Sequence, residues 1–419
     1  MSTSKDICVI IGASHAGVNT AFNLRKEKWL GKIVLIDADP ELPYHRPPLS
    51  KTYLTDAVST TNLLKPVESY KKDDITLLLG KKVVRLDAAN NYLVLDDETK
   101  IEYTKLVLAT GAKPIIPAIT GLQANASYFC LRTAADIVAI KKAFNASKTK
   151  KVVIIGGGYI GLETAASLKK IGAEVVVLER ESRILKRVAT TVISDYFRDL
   201  HTKNGVQIFE NKEVNKVENT LENGINVTKV YCTDKSYFTA EVIVLGVGVV
   251  PNTDLAKQAE LTLNNGISVT NKGETSNPDI YAVGDCSYHY NLHYKTYVRL
   301  ESVQNAVDQS KVIAANICGA ILNYNTIPWF WSDQYNVKFQ IVGLADNYTD
   351  IVVRKEQDKE NVISVWYFNN DELLAVNAIN HTKAYVFGTK FIKEGKKVDK
   401  EKLADASIPL SKEFAVAFL

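Results

Sequence analysis

Two stretches of the chain, 144 residues apart, repeat one pattern: VIIGASHAGVNTAFNLRK from Val9 and VIIGGGYIGLETAASLKK from Val153. Each is a short apolar run, then a glycine cluster, then apolar residues at helical spacing. That is strand, tight turn and helix, the opening of a dinucleotide-binding unit. In the second copy Gly156 makes the turn, Gly158 lets backbone approach a pyrophosphate, and Gly161 lets helix pack on strand. The helix beginning at Tyr159 and Ile160 then offers free N–H groups to phosphate. AEVVVLER (173–180) reads as the next buried strand, ending at Glu179, which is placed to accept from a ribose 2′-OH. Glu179 should repel a 2′-phosphate and favour NADH over NADPH, although Arg180 and Arg183 stand close enough in sequence to pair with that phosphate. The first copy is altered to Gly12-Ala-Ser14-His15-Ala16-Gly17. Ser14 replaces the middle glycine, and His15 falls at the phosphate end. The following strand, KIVLIDADP (32–40), offers Asp37 and Asp39 as ribose partners, and the spacing favours Asp37.

Two such units imply two dinucleotides and an α/β fold. LVLATGAKP (106–114) adds a strand running into a turn of small residues, Ala109, Thr110 and Gly111. NPDIYAVGDCS (277–287) adds a strand ending in Gly284 and Asp285, a carboxylate facing a helix that starts near Val303. A length of 419 residues calls for two or three domains. The net charge of +4, with both signs interspersed, gives no nucleic-acid footprint but suits a small acidic partner. The cysteines at 8, 130, 232, 286 and 318 lie too far apart for a local redox disulfide or a four-thiolate cluster, so reduced thiols in a cytoplasm are expected. The first strand is expected by Ile7 with no signal peptide before it. The longest apolar run, VIVLGVGVV (242–250), is short of the roughly 20 residues a span needs. No metal site is expected.

The loop LPYHRPPLSK (42–51) is harder to place, because it follows a nucleotide-binding strand yet carries three prolines, Arg46 and Lys51. Together with IGASHAG, LVLATGAKP, VIIGGGYIGLE, GVGVVPN, IYAVGDC, RLESVQNA and PWFWSDQY, it resembles the FAD-dependent, NADH-linked ferredoxin reductases of bacterial oxygenase systems. The resemblance implies two Rossmann-like domains of the glutathione reductase type and a C-terminal α+β domain. Residues 1–116 and 248–325 would bind FAD, 117–247 would bind NAD, and 326–419 would form the third domain. It also implies that Arg46 contacts the flavin cofactor and that Lys51 points at its redox ring and pairs with Glu163. Two prolines lower the entropic cost of holding that lysine. Val83, Arg132, Val303 and Trp331 would lie along FAD, and Gly248 would admit the nicotinamide amide. Tyr159 would cover the flavin ring and swing aside for hydride transfer. Family members carry an acid at the position of Ala38, so the choice between Asp37 and Asp39 stays open.

The implied activity is passage of electrons from NADH through FAD to a small iron–sulfur protein, expected to be a [2Fe–2S] ferredoxin that serves an oxygenase. Electrons would leave past Trp329 or Trp331. Rubredoxin is the alternative acceptor. A low-turnover NADH-binding flavoprotein of the apoptosis-inducing-factor kind is the alternative class. A monomer or weak homodimer is expected, and the lysine-rich segment KEGKKVDKEK (393–402) reads as solvated surface.

Overall fold

The computed structural model describes residues 2–56, 61–125, 128–357, 359 and 361–416. Both copies of the repeat fold as strand, turn and helix: Ile7–Ile11 with His15–Lys26, and Lys151–Ile155 with Tyr159–Lys170. Each strand is central to its own five-stranded sheet. In the first sheet the order is Ile280–Ala282, Lys105–Leu108, Ile7–Ile11, Lys32–Asp37, Ile75–Leu79, all parallel. The second runs Gln207–Phe209, Glu174–Leu178, Lys151–Ile155, Val242–Leu245, Tyr128–Cys130, again all parallel. A parallel sheet is covered on both faces, which is why these strands are unbroken apolar runs. Cys8 to Ile11 and Val152 to Ile155 are buried throughout.

The first sheet is assembled from distant sequence. Its outer strand Ile280–Ala282 comes after the whole second sheet, and the helix Val303–Ile317 then packs on the first-copy helix. Val18, Ala21 and Leu24 meet Ala306, Ile313 and Ala314 in one core. Ser302 caps this helix, its hydroxyl accepting from Asn305 N, which fixes the start at Val303. Asp285 is therefore not its cap.

The third sheet is antiparallel: Trp329–Gln334, Val337–Gly343, Glu372–Ile379, Ile363–Asn369, Asp350–Lys355, with helix Thr382–Glu394 packed on it. It shares a core with the second-copy unit, where Leu162, Ile193 and Phe197 meet Val337, Phe339 and Ile379. Full burial of each such side chain is worth about 2 kcal/mol, so this contact is a structural joint. The lysine-rich segment is largely solvated as expected, but it is ordered. Lys397–Val398 pairs with Ala415–Val416 and Lys400–Ala404 is helical, with Val398 and Leu403 buried. Its lysines are solvated, but its one apolar residue, Val398, and the adjoining Leu403 anchor it to the core.

Candidate functional site

The two copies agree to the level of single hydrogen bonds. Gly12 and Gly156 have φ of +106° and +111°, and an added Cβ would lie 2.2 Å from Ala109 O and 2.5 Å from Gly246 O respectively. At Gly17 and Gly161 it would fall 1.8 and 2.1 Å from the carbonyl oxygens of Gly12 and Gly156. The acid after the second strand reaches back to each turn. Asp37 Oδ2 accepts from Ala13 N at 2.5 Å, and Glu179 Oε2 accepts from Gly157 N at 2.6 Å. Their other oxygens take the N–H two residues on, from Asp39 at 2.9 Å and Glu181 at 2.8 Å. Asp39 instead accepts from the Tyr44 hydroxyl at 3.0 Å. Asp37 is thus the geometric counterpart of Glu179, and each carboxylate keeps lone pairs for a further hydroxyl.

Around the first turn, residues from four parts of the chain form one run. Ser14 Oγ accepts from Arg46 Nε at 3.1 Å, Arg46 Nη1 donates to Arg132 O at 2.5 Å, and Arg132 Nη2 meets Asp285 Oδ2 at 2.9 Å. Gly111, at φ +64°, lies beside this run, where an added Cβ would be 3.3 Å from Arg132 Nη2. Thr110 exchanges hydrogen bonds of 2.8 Å with Asn252, and Ala109 N donates to Ile11 O at 2.8 Å. Gly284, at φ +78°, comes so close to Ala16 that an added Cβ would be 3.0 Å from that methyl. Its N–H donates to Gln309 Oε1 at 2.8 Å, in the helix that starts at Val303.

His15 is the first residue of its helix and 7% exposed, with its ring edge on His45 and Nε2 without a partner. Burial, helped by His45, Arg46 and Arg132, pushes it down to about 4, so it is neutral at pH 7. A buried orphan nitrogen, two guanidiniums and a helix start with no acid in its first turn fit the diphosphate of a dinucleotide. The second-copy helix also lacks an acid in its first turn, and Gly158, extended at φ −80°, has open space where a Cβ would stand. Both turns fit such a ligand.

The stiff loop does hold its lysine. Pro47 and Pro48 open a short 3-10 turn, Pro47–Ser50, and Lys51 closes it. Lys51 Nζ meets Glu163 Oε2 at 2.7 Å. Glu163 is 2% exposed and also accepts from Ser50 Oγ at 2.5 Å and from Ser332 Oγ at 2.6 Å. A buried carboxylate is tolerable only with such partners, and removing the lysine from a pair of this kind costs about 3–5 kcal/mol.

Tyr159 is packed at the joint with the third sheet, its ring 5.0 Å from Phe330 and 6.1 Å from Phe339. Burial pushes its hydroxyl far up, and that hydroxyl has no partner among the described residues. Movement of the ring must break both aromatic contacts. Gly248, at φ +112°, has only Arg187 and Ile115 near the place of a Cβ, each at 3.8 Å. Ile160 is exposed at the helix start. Trp331 lies on Trp329, with ring centroids 5.5 Å apart. Val83 is not brought into the Lys51 group. Its side chain is in the core with Val9 and Ile36. Arg183 is committed to Ser194 Oγ at 2.5 Å, while Arg180 stays exposed beside Glu181.

Sequence reasoning missed Ser50, Ser332, Gly157, Asn252 and Gln309. Gly157 could have been found from the triple glycine, since an added Cβ there would be 2.7 Å from Ile184 and 3.1 Å from Glu179 Oε2. Ser50, Asn252 and Ser332 lie inside motifs quoted for the resemblance but were given no role, and Gln309 lies outside them. Among the described residues there is no group of His, Cys, Asp and Glu able to hold a metal. No described helix is long and apolar enough to cross a membrane.

Comparison with known proteins agrees with this fold. Residues 6–310 match the family model for pyridine nucleotide-disulphide oxidoreductases, and residues 329–414 match the reductase C-terminal model. Putidaredoxin reductase of Pseudomonas putida is 36% identical over 417 residues, covering 99% of this chain and 98% of that protein. The crystal structure of the covalent putidaredoxin reductase–putidaredoxin complex superposes with a TM-score of 0.91 at 35% identity, over 97% of each chain. The ferredoxin reductase for the CYP199A2 system from Rhodopseudomonas palustris gives a TM-score of 0.92 at 35% identity, over 98% of this chain and 100% of that one. With matched models over most of its length and relatives aligned almost end to end, the chain belongs to the pyridine nucleotide-disulphide oxidoreductase family, in the branch that carries the reductase C-terminal domain.

Proposed function

We propose that this protein is an FAD-containing, NADH-dependent ferredoxin reductase that supplies electrons to an oxygenase. The observation that carries the reading is the Lys51–Glu163 pair, which ties the proline-stiffened loop of the first unit to the helix of the second. When bound, FAD supplies the conversion of a two-electron hydride into single electrons. Residues 1–116 and 248–325 hold it, 117–247 receive NADH, and 326–419 complete the site. Asp37 accepts from the adenosine ribose, while His15, Ser14 and Arg46 face the diphosphate. Asp285 and Arg132 hold the ribityl end, with Ala16, Ala109, Thr110, Gly111, Gly284 and Val303 letting the chain approach closely. Lys51 places an ammonium beside the reacting ring, and Glu163 holds it there. Gly156, Gly158 and Gly161 cradle the NADH diphosphate, and Glu179 selects a free 2′-OH. Gly248 leaves room for the nicotinamide, and Tyr159 excludes water until it is displaced.

A [2Fe–2S] ferredoxin with a negative face suits the chain's +4 net charge, with Trp329 and Trp331 at the exit, in a cytoplasmic monomer or weak homodimer. The test is direct. The purified protein should carry one FAD per chain, be bleached by NADH, and reduce a ferredoxin faster than a rubredoxin. Ferredoxin reduction should slow as ionic strength rises from about 0.01 to 0.3 M, while reduction of a small neutral acceptor should not. A protein that cannot be loaded with FAD refutes the function. A slow, long-lived NADH complex moves it to the low-turnover class, and equal salt effects on both acceptors refute electrostatic docking.

A further inference from the structure

Strand Trp329–Gln334 presents two different faces. Trp329 and Trp331 lean on each other, whereas Phe330 lies on Tyr159 and Ser332 and Gln334 are buried. From the buried face a run of hydrogen bonds crosses the joint. His201 Nε2 is 2.8 Å from Gln334 Oε1, Gln334 Nε2 donates to Ser332 Oγ at 3.2 Å, and Ser332 Oγ donates to Glu163 Oε1 at 2.6 Å. Glu163 Oε2 then takes Lys51 Nζ at 2.7 Å, and Ser50 Oγ from the same loop at 2.5 Å.

The direction of this run is determined. A carboxylate only accepts, so the Ser332 hydrogen is committed to Glu163 and the oxygen of Ser332 must accept. The Gln334 amide supplies that donor, which turns its carbonyl toward His201. His201 must then carry its hydrogen on Nε2, leaving Nδ1 bare, and Nδ1 has no partner among the described residues. Burial pushes His201 down to about 4, so the ring is neutral at pH 7 as this order requires. Every donor points toward Glu163, and bonds aligned this way polarise one another. His201, Gln334, Ser332 and Glu163 are all at most 2% exposed, so water does not compete.

We propose that Ser332, oriented by Gln334 and His201, is a positioning residue for the Lys51–Glu163 pair: the C-terminal sheet decides which carboxylate oxygen meets the lysine and fixes the ammonium. The inference rests on the reading of this site as the place where FAD is reduced by NADH. Ser332 touches neither nucleotide in that reading and acts only through Glu163. Without its hydroxyl, Glu163 Oε1 loses its donor, only Ser50 on Oε2 still holds the carboxylate against turning, and the two oxygens can compete for Lys51.

The test uses the full chain with two readouts, NADH reduction of the bound flavin by stopped flow and acylation of Lys51 by acetic anhydride, read by mass spectrometry. Ser332→Ala should slow flavin reduction about tenfold, the scale of one hydrogen bond to a charged group. It should also raise Lys51 acylation several-fold in FAD-loaded and FAD-free protein alike, with the exposed Lys186 unchanged as internal control. Ser332→Thr, which keeps the hydroxyl, should restore both. In a Lys51→Met background, Ser332→Ala should change the reduction rate less than twofold. An equal slowing in both backgrounds, or unchanged Lys51 acylation, overturns the proposal. If Ser332→Ala does not fold, Gln334→Leu takes its place and should move both readouts the same way by a smaller factor; no movement overturns the proposal equally. If NADH fails to reduce wild-type flavin, the functional reading falls, and the acylation of FAD-free protein still decides whether Ser332 positions Lys51.

Discussion

The first and second turns share a skeleton and differ in what closes over it. Both have a left-handed first glycine, a third glycine pressed on a carbonyl, and an acid reaching back to the turn. At the middle position the first copy has Ser14, bonded to Arg46 and through it linked to Arg132 and Asp285. The second has Gly158, where an added Cβ would have no described residue within 4 Å. The next residue is a buried imidazole in one copy and a tyrosine leaning on another sheet in the other. The acids differ by one methylene, and the longer Glu179 faces Gly157 where the shorter Asp37 faces Ala13. A turn clasped by side chains from distant segments suits a ligand that stays. An open turn suits one that comes and goes.

The largest effects should separate skeleton from closure. Gly17→Ala and Gly161→Ala each force a methyl into a carbonyl and should destabilise by about 3 kcal/mol or more, or prevent folding. Gly158→Ala should leave stability within about 0.5 kcal/mol and yet abolish NADH binding. Denaturant midpoints with NADH titration would show this, and a Gly158→Ala protein that binds NADH normally would remove the second turn from the site.

Next come the polar partners. Asp285→Ala leaves Arg132 without its ion pair and should weaken FAD retention about 10- to 100-fold, read as flavin released on gel filtration. Glu179→Ala should leave FAD in place and lower the kcat/KM preference for NADH over NADPH about tenfold. Comparable values for both nucleotides in the wild type would mean that Glu179 does not choose.

What the sequence made legible follows from distance along the chain. The turns, Asp37 and Glu179 were readable because each lies within one strand–turn–helix–strand unit, where spacing sets geometry. Lys51 and Glu163 were readable only through resemblance, since 112 residues separate them. Arg132 and Asp285 were both named but not paired, because their meeting depends on how strand Ile280–Ala282 completes the first sheet. Ser332 could not be found from local pattern, as its one informative bond crosses 169 residues from an aromatic strand. The lysine-rich segment was readable as solvated surface from its charge, but its attachment through Val398 and the adjoining Leu403 was not.

A smaller difference between the copies lies in their response to pH. Folded His15 takes a proton only near about 4, against 6.5 for an ordinary histidine. As pH falls below 6.5 the unfolded chain therefore binds protons that the folded one does not, and stability drops. Above 6.5 the group has no effect. The slope per group is at most about 1.4 kcal/mol per pH unit. His201 and His289, also pushed down to about 4, act in the same direction. His15→Leu should reduce the loss between pH 6.5 and 5.5 by about 1 kcal/mol in chemical denaturation, and parallel slopes would contradict a neutral, buried His15. Tyr159→Phe in the second copy removes only a hydroxyl without a partner. It should change stability by less than about 1 kcal/mol at any of these pH values.

The strand order of the first sheet also governs how the protein is made. Lys105–Leu108 pairs on one side with Ile7–Ile11 and on the other with Ile280–Ala282. During synthesis that second side has no partner until residue 280 leaves the ribosome, roughly 10–35 s later at 5–20 residues per second. The first-copy helix waits longer still for Val303–Ile317. Over the same interval the second sheet is completed: Lys151–Ile155, Glu174–Leu178 and Gln207–Phe209 can pair by residue 209, and Val242–Leu245 then joins Lys151–Ile155 to Tyr128–Cys130. The second sheet can therefore be complete while the first still presents an open edge, and that edge is exposed to wrong pairing until residue 280 arrives.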